Sequence, residues 1–317
     1  MDKLLVKTPV LFLIFNRPDT TKQVFEQIRQ AKPPRLYVAA DGPRVDNKDD
    51  VLKIAKAREI VTKIDWPCEL KTLFRDKNLG CKKAVSESIT WFFNQEEQGI
   101  ILEDDCLPHS EFFPFCEILL NKYVNDPRVF AITGNNFQNN VWHGEASYYY
   151  SKYMMCWGWA SWRRAWNNYQ VNIPFWPEWS KSKAWLDHTP DKIERKYWER
   201  IFEKMFLNKI DTWDYPWVAS IWHKGGLTAT PNVNLVSNIG FREDATNTMS
   251  QNDKFSRLPI NNIGDLKYPK NIQRNIEADN WTFNYHYGGK NLRFPFSWII
   301  FPKRVLKYLI SKVRTIF

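Results

Sequence analysis

Apolar runs alternate with amphipathic or charged stretches over the first hundred positions. Pro9 to Phe15 is continuously apolar, the pattern of a strand buried on both faces. Asn16-Arg17-Pro18-Asp19 breaks it and opens a helix whose stripe is Val24, Phe25 and Ile28. Arg35 to Ala40 predicts a second strand, closed by the turn Asp41-Gly42-Pro43, and a charged helix follows from Asp49 to Ile64. Cys68 to Phe74 reads as a third strand; Asn78-Leu79-Gly80 opens a helix to about Asn94, and Ile100-Ile101-Leu102 is a fourth strand. This alternation predicts an α/β domain with a mainly parallel central sheet flanked by helices. Ligands of such sheets bind at the carboxyl ends of the strands. Those ends carry Asn16-Arg17, Asp41-Gly42, Arg75-Asp76 and Glu103-Asp104-Asp105, so polar and charged groups converge on one edge.

The regular alternation stops after Asp105. Ser110 to Tyr123 predicts a helix, Val129 to Thr133 and Ser147 to Ser151 strands, and Trp157 to Trp185 is an aromatic stretch. Amphipathic periodicity returns in a helix from Lys192 to Leu207. Trp213 to Lys224 reads as helix, and Leu227 to Asn238 as strand and turn. Residues 251–301 form an irregular polar extension. Residues 302–317 place Val305, Leu306, Leu309, Val313 and Ile316 among Lys303, Arg304, Lys307, Lys312 and Arg314. That is the pattern of a basic amphipathic helix suited to an anionic membrane surface, or of a terminal helix docked on the domain with a solvated face.

Composition narrows the class. The 317 residues are 44% hydrophobic and 25% charged, as in an ordinary globular protein. Sixteen Trp and 21 Phe are unusual; core packing explains many of them, and flat rings also suit the C–H faces of sugars. The net charge of +10 includes no Lys/Arg run dense enough for a nucleic-acid tract, which favours phosphates or an anionic membrane and no nucleic-acid partner. Cys68, Cys81, Cys106, Cys116 and Cys156 form an odd set without a CxxC pair, which predicts free thiols and a reducing, cytoplasmic setting. The apolar run Val10 to Phe15 is too short for a signal sequence or a membrane span.

Three adjacent acids at a strand end repel one another by an order of a kcal/mol per close pair at moderate dielectric. A hard divalent cation, Mg²⁺ or Mn²⁺, would relieve that repulsion and bridge the carboxylates to a diphosphate. The competing reading makes Asp104 or Asp105 the cap of the next helix, with the other acids solvated.

Leu102-Glu103-Asp104-Asp105 followed by Phe112-Phe113 resembles the metal motif of GT-A fold nucleotide-sugar glycosyltransferases. It is similar to bacterial family-2-like members and to the N-acetylglucosaminyltransferase I type. The match runs motif by motif over residues 1–250. The resemblance implies a nucleotide-sugar-binding half, 1–108, and an acceptor half, 109–250. It makes Asp105 the principal metal ligand, while Glu103 and Asp104 contact the donor's sugar or ribose. Asn16 and Arg17 would hold the nucleotide, and Asp41 would accept the imide N–H of uracil. A surface ion pair for Arg17 and a turn role for Asp41 are the plainer alternatives.

Arg75, Asn78 and Gly80 match the Arg-x-x-Asn-Leu-Gly pattern of that fold, where Gly80 permits close approach and the following helix offers free N–H groups to an anion. Inverting transfer requires a base, and Asp211 and Asp214 are the candidates. By the resemblance Asp214 is the base, with Trp213 and Trp217 lining the acceptor pocket; the alternative is a helix cap with core tryptophans. Trp157, Gly158 and Trp159 lie in a Trp-Gly-Trp-Ala-Ser-Trp stretch like that of the bacterial members. Asn238 and Gly240, with Asp244 to Thr248, resemble the loop that closes over the donor. Some relatives add a second metal ligand, often a His; this loop has only Asn247, and His223 and His286, which also read as structural residues, would have to approach from elsewhere.

The expectation is therefore a metal-dependent, inverting glycosyltransferase. It would move a sugar from a nucleotide-diphosphate donor, UDP-linked by the Asp41 reading, to a glycan or lipid-linked glycan. It would act in the cytoplasm or peripherally on the inner face of the membrane. Two alternatives stand: a sugar-nucleotidyltransferase, which would carry a Gly-rich turn where Asn16-Arg17-Pro18 stands, and a non-catalytic carbohydrate-binding protein.

Overall fold

The computed structural model describes residues 6–241 and 255–296. Strands and helices alternate as β1 (Val10–Ile14), α1 (Pro18–Ala31), β2 (Arg35–Ala40), α2 (Asp49–Val61), β3 (Glu69–Phe74), α3 (Cys81–Phe93) and β4 (Gln98–Glu103). The short β5 (Cys106–Pro108), α4 (Phe112–Lys122), β6 (Val129–Thr133), β7 (Tyr148–Ser151) and β8 (Trp159–Trp162) follow. Three short helices, α5 (Arg163–Trp166), α6 (Trp176–Trp179) and α7 (Lys183–His188), lead to α8 (Lys192–Phe206) and α9 (Asp214–His223). Strands β9 (Leu227–Pro231) and β10 (Val236–Asn238) precede α10 (Ile276–Trp281), which lies in the extension expected to be irregular.

Eight strands form one sheet in the order β3-β2-β1-β4-β8-β6-β9-β7, and β10 pairs with β5 beside it. β3, β2, β1 and β4 are parallel, β8 enters antiparallel between β4 and β6, and β9 is parallel to β6. Six of the eight strands therefore run one way, with helices on both faces. This is the α/β architecture with a mainly parallel central sheet that the sequence pattern predicts. The strand β8 and the helices α5 and α6 lie inside what sequence reads only as an aromatic stretch, and α7 begins in it.

The two-residue strand period divides the core. Val10, Phe12 and Ile14 of β1 face the side covered by α1, α2 and α4. Leu11 and Leu13 face the other side, covered by α3, α8 and α9. Trp-Ala-Ser-Trp in β8 follows the same rule, sending Ala160 and Trp162 to the first side and Trp159 to the second. The five cysteines are unpaired. No helix among the described residues is long and apolar enough to cross a membrane. The basic stretch 302–317, Asp244 to Thr248 and Asn247 lie outside the described residues.

Candidate active site

The carboxyl ends of β1, β2 and β4 open into a cleft of ≈ 800 Å³. Its walls gather Arg17, Asp41, Asn78, Gly80, Glu103, Asp104, Asp105, Trp157, Trp213, Asp214 and Asn238 from both halves of the chain. A second hollow of ≈ 570 Å³, around Lys122, Arg128 and Lys270, lies at the amino end of β6 and carries no acid cluster.

Glu103 ends β4, and Asp104 and Asp105, in the turn that follows, take different partners. Asp104 turns back to β1 and accepts the Phe15 N–H at 2.9 Å. Asp105 takes Arg17 Nη1 on Oδ2 at 2.6 Å and the Cys106 thiol on Oδ1 at 3.4 Å. Arg17 is also 3.6 Å from Asp104. Burial pushes Asp104 up to about 7, with Asp105 adding to it and Arg17 opposing it. Burial, Asp105, Asp104 and Asp214 hold the Glu103 carboxyl well above the usual range. For Arg17, burial favours the neutral form, but the charges of Asp104 and Asp105 outweigh it and raise its pKa.

Gly240 rests directly on this group. A Cβ there would lie 2.3 Å from Asp105 Oδ2, so only glycine lets the 238–241 segment pass over the carboxylate. The segment is tied down by Ile239 N–H to Asp105 O at 2.8 Å and Gly240 N–H to Asn238 Oδ1 at 2.8 Å.

A divalent cation fits the chemistry of this donor set in part. The ligands are hard oxygens, and Glu103, Asp104, Asp105 and Asp214 outnumber the single guanidinium of Arg17 among them. Among the described residues, however, no three His, Cys, Asp or Glu side chains converge as a metal-holding group. Asp105 is the residue of this group that would hold an ion. His223 stacks on Phe175 at 4.0 Å and His286 on Phe137 at 4.0 Å, and neither lines the cleft.

Several expected donor contacts are committed elsewhere. Asn16 lies behind the cleft, where its amide donates to Asp50 at 2.7 Å; Asp50 in turn holds Arg44, which does line the cleft. Arg75 donates to Ser88 Oγ at 3.0 Å and is not in the wall. Asp41 accepts the N–H groups of Gly42, Leu79 and Gly80, at 2.9, 3.0 and 3.2 Å, and Asn78 donates to Gly42 O at 2.9 Å. These bonds knit the turns after β2 and β3 together. Burial raises the Asp41 pKa, and the three N–H donors restrain the rise.

The N-terminus of α3, expected to offer its N–H groups to an anion, receives Asp211: Lys82 N–H donates to its Oδ1 at 3.1 Å. Gly80, at φ +80°, presses against the same carboxylate.

On the acceptor side, Trp157 and Trp213 reach the cleft. Trp159 and Trp217 do not; both are wholly buried in the aromatic core, because β8 and α9 turn them away from the strand ends. Trp159 serves as the plate on which Trp213 stacks, 5.7 Å away and tilted by 20°. Gly158 is likewise a packing position: a Cβ would sit 2.8 Å from Val236 Cγ2. Asp214 heads α9, receives the Thr212 hydroxyl on Oδ1, and has its pKa raised by burial. Sequence reasoning passed over Phe15, Arg44 and Thr212. Only Thr212, two residues before Asp214, carried a local signal.

No known protein family matches the chain, and no curated protein sequence does. Among solved structures, the inositol-1-phosphate CTP transferase from T. maritima is 8% identical, with 71% of this chain and 85% of that one aligned at a TM-score of 0.36. An apo-UDP-glucose pyrophosphorylase is 11% identical, with 71% and 90% aligned at 0.36. The 4-diphosphocytidyl-2C-methyl-D-erythritol synthase from Anaerococcus prevotii is 8% identical, with 71% and 88% aligned at 0.33. Likenesses at this level assign neither an activity nor a ligand.

Proposed function

We propose that the protein is an inverting glycosyltransferase that takes its sugar from a nucleotide-diphosphate donor, UDP-linked by the sequence resemblance, and passes it to a hydroxyl of a glycan or lipid-linked glycan. The observation that carries this reading is the meeting of Asp214 with the Glu103-Asp104-Asp105 group in one cleft at the ends of parallel strands.

Asp214 accepts the proton of the acceptor hydroxyl, whose oxygen forms a bond to the anomeric carbon as the carbon–phosphate oxygen bond breaks. The bond's electron pair leaves with the nucleoside diphosphate. Arg17, which lies between two carboxylates, would share its charge with that leaving group. Its hold on Asp105 must loosen as it does so. A Mn²⁺ or Mg²⁺ ion bound through Asp105 would supply Lewis-acid stabilisation of the diphosphate. Burial favours a protonated Asp214, and the Thr212 hydroxyl steadies its ionised form. Trp157 and Trp213 offer ring faces to a sugar.

The alternative reading is a sugar-nucleotidyltransferase, and the similar structures carry the names of a CTP transferase and a UDP-glucose pyrophosphorylase. One assay separates the two. A panel of sugar nucleotides is expected to release nucleoside diphosphate with Mn²⁺ and far less without it. Nucleoside triphosphate with sugar 1-phosphate is expected to release no pyrophosphate. Asp214→Asn should lower turnover about a hundredfold or more. Pyrophosphate release, or turnover surviving in the Asp105→Ala, Asp214→Ala double variant, overturns the glycosyltransferase reading.

A further inference from the structure

The segment that presents Asp214 is not held by its own helix alone. Asn208 adopts a left-handed conformation, φ 53°, just past the end of α8, and sends the chain back towards the nucleotide-binding half. There Lys82 Nζ donates to Asn208 Oδ1 at 2.8 Å and to Asn172 Oδ1 at 3.4 Å. Three residues on, Asp211 Oδ1 accepts the Lys82 backbone N–H at 3.1 Å, across 129 positions of chain. Its Oδ2 fills the space beside Gly80, where a Cβ would stand only 3.0 Å away. Tyr169 fixes the next stretch by donating to Trp213 O at 3.3 Å, and Thr212 donates to Asp214 itself.

A helix N-terminus carries about half a positive charge and unsatisfied N–H groups, so a carboxylate docked there is held by both. We infer that Asp211 is a positioning residue: by capping α3 (Cys81–Phe93) it fixes the 208–214 segment to the nucleotide-binding half and sets where the Asp214 carboxylate stands in the cleft. The inference rests on the proposed role of Asp214. It also assigns the α3 N-terminus to an internal anion, so the donor's phosphates are met by other groups.

The test compares Asp211→Ala, which removes acceptor and charge, with Asp211→Asn, which keeps an acceptor oxygen. Asp211→Ala is expected to lower kcat about tenfold to a hundredfold, as for a displaced catalytic group. KM for the donor should stay within about twofold, because no donor contact is lost. Asp211→Asn should restore most of kcat. Independently of activity, amide exchange at Lys82 and across 208–214 should quicken in Asp211→Ala, while β1 and β4 keep their protection. A rise in donor KM at unchanged kcat would make Asp211 a donor contact and overturn the inference, as would unchanged exchange. If the unaltered protein turns over no sugar nucleotide, the transferase reading falls, and the exchange result still decides whether Asp211 docks the segment.

Discussion

Arg17 and Asp214 carry charge into the same cleft under opposite constraints. Arg17 is stabilised as a cation by two carboxylates, whereas Asp214 is buried with the Thr212 hydroxyl and backbone N–H groups as its donors. Burial favours the protonated Asp214, so its pKa lies above the ordinary carboxylate value. The sign follows directly. The folded state binds this proton more tightly than the unfolded chain does, so ionising Asp214 costs stability as pH rises through its folded pKa. The base is active only when ionised, so turnover should rise over that same interval. A profile of log kcat/KM against pH should therefore show an acid limb of unit slope, placed above the usual carboxylate range. The limb should disappear from the residual activity of Asp214→Asn. A flat profile down to ordinary carboxylate pH would remove Asp214 as the base. The Asp214 position was legible because an acid between tryptophans at a helix start is a local pattern. The Arg17–Asp105 pair was not legible: adjacent acids imply a missing positive charge, and sequence does not say whether an arginine or an ion provides it.

Elements show a similar division. β1 to β4 announce themselves as apolar runs between turn residues, since a strand buried on both faces needs no long-range information to be seen. β8 does not, because Trp159 to Trp162 are ambiguous between core and sugar platform until pairing with β4 and β6 assigns their faces. Hidden equally well is the buried charge between β7, α8 and α10. Lys152 Nζ lies 2.6 Å from Glu194 Oε1, both in the interior, and Tyr153 also donates to Glu194. Ser151 and Arg274 hold Asp279 of α10 alongside. Burial lowers the Lys152 pKa and Glu194 opposes the drop, so the cation depends on its partner. Glu194→Ala should cost about 3–5 kcal/mol in urea unfolding, because it strands a buried ammonium. Adding Lys152→Met should recover a large part of the loss by removing the stranded charge. Equal stability of the single and double variants would show that the pair is not what ties these elements together.

At the scale of the molecule, the halves 1–108 and 109–250 do not behave as separate bodies. The sheet runs unbroken from β3 to β7, and β8 of the later half is wedged against β4 of the earlier one. Each hydrophobic cluster draws on both halves: Phe12 packs in the same cluster as Tyr148, and Leu11 in the same cluster as Trp198. The cleft follows from that union, with Arg17 and Asp41 on one wall and Trp213 and Asp214 on the other. Removing either half would expose one side of a sheet and leave buried strand edges unpaired, which costs more than a local rearrangement returns. The halves should therefore unfold together. Of the sixteen tryptophans only Trp66 and Trp91 precede residue 109, so tryptophan fluorescence reports mainly on the later half. Amide exchange in β1, β2 and β3 reports on the earlier one. In a urea titration the two midpoints should coincide, and a bound sugar nucleotide should move both upward together, by about 2.7 kcal/mol at a hundredfold excess over its Kd. Separate midpoints, or a shift confined to the earlier half, would mean that the nucleotide wall holds its shape without the wall that bears Asp214.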